Sequence, residues 1–128
     1  MTYDKSDIVT YRIEKSDRTL LEAKSLIDSG FYSGAVNRLY YTCFYLVSAL
    51  LLKNDINAST HNVVRTQFFK NFIKNEILDR KYSVLYSDLM NKRQENDYDD
   101  FLEFSKEDVE PLVEEVESFI NIIKNLIN

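Results

Sequence analysis

The sequence predicts an all-α fold, an antiparallel up-and-down four-helix bundle with one additional helix, about five helices in all. Three observations predict it. Two Gly and one Pro among 128 residues leave too little turn vocabulary for a sandwich or barrel. Apolar residues recur at three- and four-residue spacing along most of the chain. The links between those periodic runs are short, as bundles require. At this length one domain over residues 1–128 is expected.

The first helix is expected from about Asp7 to Asp28, with Ser6 as N-cap. Ile13, Leu20 and Ile27 form its stripe with Ala23, and Gly30 stands where a helix stops. A second helix follows from about Phe31 to Lys53. Phe31, Ala35, Leu39, Cys43, Val47 and Leu50 make one stripe, and Val36, Tyr40, Phe44 and Leu51 cover a flank. A helix apolar nearly all round belongs inside a bundle or in an interface. Gly34 within it costs about 1 kcal/mol relative to Ala and implies the close approach of another backbone.

Asn54 to Ser59 reads as a loop with Thr60 as the next N-cap. The third helix, about His61 to Asn75, carries Val64, Phe68 and Phe72 at four-residue spacing. The fourth, about Ile77 to Glu95, carries Leu78, Tyr82, Leu85 and Leu89. Asn96 to Phe104 lacks a period and reads as a loop. Ser105 with Asp108 forms a capping box. The last helix then presents Val109, Leu112, Val116, Phe119, Ile123 and either Leu126 or Ile127, with Pro111 near its first turn.

Composition narrows the functional classes. A single Cys and a single His exclude an internal disulfide and any recognisable Cys- or His-rich metal site. No cofactor is expected. No basic start leads into an apolar run, so no signal peptide is expected. The longest apolar stretch, Leu39 to Leu52, falls short of the ~20 residues that span a bilayer. The expectation is a cytoplasmic protein with no membrane partner.

Net charge is −5, which argues against broad binding to duplex DNA. The charge is uneven. His61 to Arg93 holds 7 Lys or Arg against 3 Asp or Glu, whereas residues 91–128 hold 4 against 11. The third and fourth helices therefore form the more basic part.

Chemistry-bearing residues are few. Continuing the fourth stripe from Tyr86 through Met90 reaches Arg93 and then Asp97, so a guanidinium and a carboxylate extend an apolar face. Such charges need partners, either each other or groups across an interface. An ordinary (i, i+4) ion pair closing the helix is the plainer alternative. Arg38 lies between Ala35 and Thr42 on the crowded second helix. Asp97, a backbone carbonyl and a phosphate are its candidate partners. His61 follows an N-cap, where the helix dipole disfavours its charged form. Tyr40, Tyr41, Tyr45 and Tyr98 are candidates for stacking on bases, or core filler. Cys43 falls on an apolar stripe and reads as a small hydrophobe.

The segment Gly30 to Phe44 with its Tyr40-Tyr41 pair, then Thr60-His61, then Arg93 with Asp97-Tyr98, resembles the prokaryotic HEPN domain (higher eukaryotes and prokaryotes nucleotide-binding) over about Leu20 to Tyr98. The resemblance implies a helical homodimer, often encoded beside a minimal nucleotidyltransferase that neutralises it in a toxin–antitoxin pair. Many such proteins are metal-independent ribonucleases whose site is an Arg followed after four to six residues by His. Here Tyr98 stands where that His is expected, and no His follows His61. Tyr, with an ordinary pKa near 10, is a poor proton shuttle at neutral pH. The expected function is therefore a module that binds a nucleotide, RNA or protein without efficient RNA cleavage. Arg38, Tyr41, Arg93 and Asp97 are its expected ligand-binding residues. The alternatives are a ribonuclease using Arg93 with Tyr98 or His61, and a purely structural interaction bundle.

Overall fold

The computed structural model describes residues 2–128. Five helices follow in order: α1 (Lys5–Asp28), α2 (Tyr32–Lys53), α3 (His61–Phe68), α4 (Lys81–Tyr98) and α5 (Lys106–Ile127). No strand occurs among the described residues. A π-helical turn, Phe69–Ile73, extends α3.

Cross-helix bonds fix the directions. Arg12 donates to the Ser48 carbonyl at 3.2 Å, Ser16 to the Thr42 carbonyl at 2.7 Å, and Lys5 pairs with Asp55 at 3.0 Å. Low numbers meet high ones, so α1 and α2 are antiparallel. Lys24–Glu117 at 3.7 Å and Lys124–Asp17 at 2.8 Å set α5 antiparallel to α1. Asn96 reaches the Ser33 carbonyl at 3.2 Å, joining the end of α4 to the start of α2. The bundle thus runs up and down through α1, α2, α4 and α5, with α3 as the extra helix.

Helix α2 is the centre and packs on each of the other four. Eleven of its 22 residues are buried, from Ala35 to Leu51. By length and composition alone α2 is apolar enough to cross a membrane, more so than the stretch Leu39 to Leu52 suggested. In the fold that apolar surface is taken up by its neighbours. Phe31, expected on the stripe, is exposed because it lies before the first turn.

Helix ends differ from expectation where side chains offered two caps. Asp4, not Ser6, caps α1: its carboxylate accepts the Asp7 N–H at 2.9 Å and Asp7 reciprocates. Ser6 is already inside the helix. At the other end Gly30, at φ +80°, closes a Schellman turn in which the Gly30 and Phe31 N–H groups bond the Ile27 and Leu26 carbonyls. Thr60 caps α3 and the Ser105–Asp108 box caps α5, as expected.

The buried centre of α1 is Val9, Ser16, Thr19 and Ala23, while Ile13, Leu20 and Ile27 are its half-buried flanks. Ser16 and Thr19 escape an apolar pattern because each spends its hydroxyl on a carbonyl, Thr42 and Lys15 respectively. Gly34 answers a side chain and not a backbone: a Cβ there would lie 3.3 Å from Leu26 Cδ1. Pro111 is the sixth residue of α5, past its first turn, where the missing N–H leaves an exposed carbonyl to water.

The fourth helix starts later and ends later than its periodicity suggested. Leu78 is buried but belongs to the link before α4, where its N–H bonds the Phe72 carbonyl at 2.7 Å. Asn96, Asp97 and Tyr98 continue the helix instead of opening a loop. That extension places Arg93 and Asp97 on one helical face.

Candidate functional site

The candidate site is where α2, the start of α3 and the last turns of α4 converge. Helix α2 supplies Arg38, Tyr40, Tyr41 and Phe44, which spacings of three and four bring onto adjoining faces. Thr60 fixes the first turn of α3 and so places His61 against them. Helix α4 sends Arg93 across from the opposite side.

The rings form one cluster. His61 stacks on Phe44 with centroids 4.4 Å apart, and lies 5.7 Å from Tyr40 and 5.8 Å from Tyr41. Tyr40 and Tyr41 meet edge to face at 5.1 Å. Two guanidiniums sit on this aromatic floor. Arg93 lies 5.0 Å from the Tyr40 ring and 5.8 Å from Tyr41, and Arg38 lies 5.1 Å from Tyr41.

Each arginine has one carboxylate partner, and both carboxylates are half-exposed. Arg93 donates to Asp97 at 3.3 Å; its side chain is 15% exposed and that of Asp97 47%. Its Nε–H is buried without a partner. Leaving such a donor unpaired costs about 1–3 kcal/mol. Arg38 donates through Nε and Nη2 to the Asn37 side-chain oxygen at 3.0 and 2.8 Å. Its nearest carboxylate, Glu22, stands 3.9 Å away. Of the three partners expected for Arg38, neither Asp97 nor a backbone carbonyl bonds it.

A hydrogen bond couples the Tyr40 phenol to the His61 ring. Burial, opposed first by the neighbouring Tyr86 hydroxyl and then by the Arg93 charge, pushes the Tyr40 phenol up to about 12, so its proton stays on. Its oxygen is 2.7 Å from His61 Nδ1. The buried Tyr86 hydroxyl lies close enough to weigh on Tyr40 ionisation, yet makes no hydrogen bond of good geometry. Either Nδ1 accepts the Tyr40 proton and Nε2 carries the imidazole hydrogen, or Nδ1–H donates to the Tyr40 oxygen; the contact serves both tautomers. Burial first, then the Arg93 charge, lower the His61 pKa below its ordinary range. The ring is a neutral donor at pH 7.

Six of the residues singled out in the sequence thus come together: Arg38, Tyr40, Tyr41, His61, Arg93 and Asp97. Tyr98 does not join them. Five residues on from Arg93 its side chain leaves the helix about 140° around the axis. It is 89% exposed and makes no hydrogen bond or ring contact among the described residues. Pairing Arg93 with Tyr98 within one chain fails on this geometry.

Sequence reasoning missed Asn37 as the holder of Arg38 and Tyr40 as the partner of His61. The Asn37-Arg38 adjacency was the available signal for the first. The second joins residues 21 apart across a loop, and no local pattern carries it. Cys43 is buried and its thiol is pushed far above the ordinary range by desolvation, which makes it inert packing. Among the described residues no group of three His, Cys, Asp or Glu is placed to hold a metal ion.

Residues 9–126 match the model of the HEPN domain family. A Methanocaldococcus jannaschii protein named "Putative toxin" is 40% identical over 88% of this chain and 76% of its own length. A second protein of that organism with the same description is 30% identical over 88% of this chain and 83% of its own. A Thermotoga maritima protein named "UPF0332 protein" is 32% identical over 97% of this chain and 94% of its own.

Proposed function

The chain belongs to the HEPN domain family, and we propose that it acts as a homodimeric module binding the phosphate of a nucleotide or RNA without efficient RNA cleavage. It works in the cytoplasm beside a minimal nucleotidyltransferase, in a toxin–antitoxin-like pair. The relatives named as toxins support that setting.

One observation carries the reading. Arg38 and Arg93 both lie on the Tyr41 ring, each with a single half-exposed carboxylate partner, and a neutral His61 lies against the same ring. A phosphate between them would receive charge-assisted donors from both guanidiniums. With Nδ1 accepting from Tyr40, His61 Nε2–H adds a further donor, and the exposed edge of Tyr41 offers a surface for a base.

The tautomer in which Nδ1 accepts from Tyr40 argues against cleavage. Attack by a ribose 2′-hydroxyl needs a bare nitrogen or oxygen to take its proton. In that form His61 Nδ1 is occupied by Tyr40, and Nε2 already carries hydrogen. The test is fluorescence anisotropy with a labelled single-stranded oligoribonucleotide, run with gel analysis of the RNA. Intact RNA bound at least tenfold more weakly by Arg38→Ala and Arg93→Ala is the expected result. Absence of binding by the wild type overturns the reading.

A second reading, a ribonuclease using Arg93 with His61, draws on their shared contact with the Tyr40 and Tyr41 rings. It requires the other tautomer, in which Nδ1–H donates to the Tyr40 oxygen.

A further inference from the structure

We propose that copies of this chain associate head to tail, the acidic-aromatic segment after α4 of one copy docking into the basic groove before α4 of the next.

The donor feature is residues 97–103. Tyr98 and Phe101 are 89% and 95% exposed, the two most exposed large hydrophobic residues of the described chain. Asp97, Asp99, Asp100 and Glu103 surround them. The segment is held in a fixed shape. Asp99 accepts the Phe101 N–H at 3.0 Å, and its carbonyl accepts from Leu102 at 3.2 Å. Leu102 and Phe104 turn inward while Phe101 is presented to solvent.

The acceptor feature is an open groove of about 970 Å³ between the π turn of α3 and the start of α4. Phe69, Ile73 and Leu78 give it an apolar floor, and Lys70, Lys74 and Arg80 give it positive charge. No ion pair among the described residues engages any of these three cations. Of the two carboxylates there, Asp79 is already bonded to the Lys81 N–H at 2.8 Å, and Glu76 is exposed. The groove thus matches the segment in both respects, apolar against aromatic and cationic against anionic.

The two features lie at opposite ends of the 18 residues of α4, about 27 Å apart, so one chain cannot satisfy itself. The contact joins unlike surfaces: made once per pair it builds rings or open chains, and made twice reciprocally it closes a two-fold dimer. One short segment buries little area, which puts the contact at the weak end of the interface range and makes it salt-sensitive.

Sedimentation velocity on the full chain, from roughly 10 μM to 1 mM at low salt, tests this. Wild type should pass to larger species with rising concentration. K70E/K74E and D100K/E103K should each need at least about tenfold more protein to do so, and the chain carrying all four changes should recover. All four side chains concerned are at the surface, and circular dichroism checks that each variant folds. A single size throughout, association indifferent to either reversal, or failure of the fourfold variant to recover would overturn the proposal. A concentration-independent dimer beneath these changes belongs to the homodimer reading and is scored apart from it.

Discussion

The Tyr40 hydroxyl and His61 Nδ1 are 2.7 Å apart, a bond that ties the central helix to the first residue of α3. Its consequences are accessible to titration and mutation.

His61 should titrate below its ordinary 6.5, because burial and Arg93 both oppose its charged form. The sign for stability follows. In the unfolded chain His61 takes a proton as pH falls through about 6.5, while in the folded chain it resists. Its contribution is full above that pH and declines as pH drops toward the folded value. NMR of the imidazole resonances should find the lowered pKa, and Arg93→Ala should move it upward.

Tyr40→Phe removes the hydroxyl and frees Nδ1. Loss of about 1 kcal/mol is expected from the buried bond. The variant should also change the balance between the two His61 tautomers. Two-dimensional nitrogen NMR, which separates the two neutral forms, reads this directly.

Arg93 and Asp97 should behave unequally. Arg93→Ala strips a mostly buried guanidinium from two rings and should cost about 1–2 kcal/mol in urea unfolding. Asp97→Ala removes a half-exposed partner in the less favourable basic-before-acidic order, and under about 0.5 kcal/mol is expected. Equal losses would mean the ion pair, not the aromatic floor, holds Arg93.

Helical periodicity made the fold readable: Leu39, Val47, Val64, Phe68, Leu89, Val116 and Phe119 are buried as their spacing predicts. It misplaced α4 because Leu78 is buried from a link and because the polar run Asn96-Asp97-Tyr98 is helical. It missed Ser16 and Thr19, since a hydroxyl bonded to a helix carbonyl packs like an apolar group. In the site, Arg38, Tyr41, His61, Arg93 and Asp97 were visible by residue type. What binds them was less so, because the Tyr40–His61 bond and the Asn37 support depend on how α3 lies on α2. The π turn at Phe69–Ile73 left no signal in the spacing of Phe68 and Phe72.

The glycines separate two causes of conservation of shape. Gly34→Ala should stabilise by several tenths of a kcal/mol, since helix propensity favours Ala and the flexible end of Leu26 can yield at 3.3 Å. Gly30→Ala has open space around it but sits at φ +80°, so about 1 kcal/mol of loss is expected. Thermal melts of the pair compare them directly.

The most direct measurement of the central claim is incubation of wild-type protein with end-labelled single-stranded RNA, resolving bound and cleaved fractions together. Retarded, intact RNA, with retardation lost in Arg93→Ala, is the predicted result. Fragments with sharp ends that vanish in both Arg93→Ala and His61→Ala would contradict it and assign the cluster to catalysis.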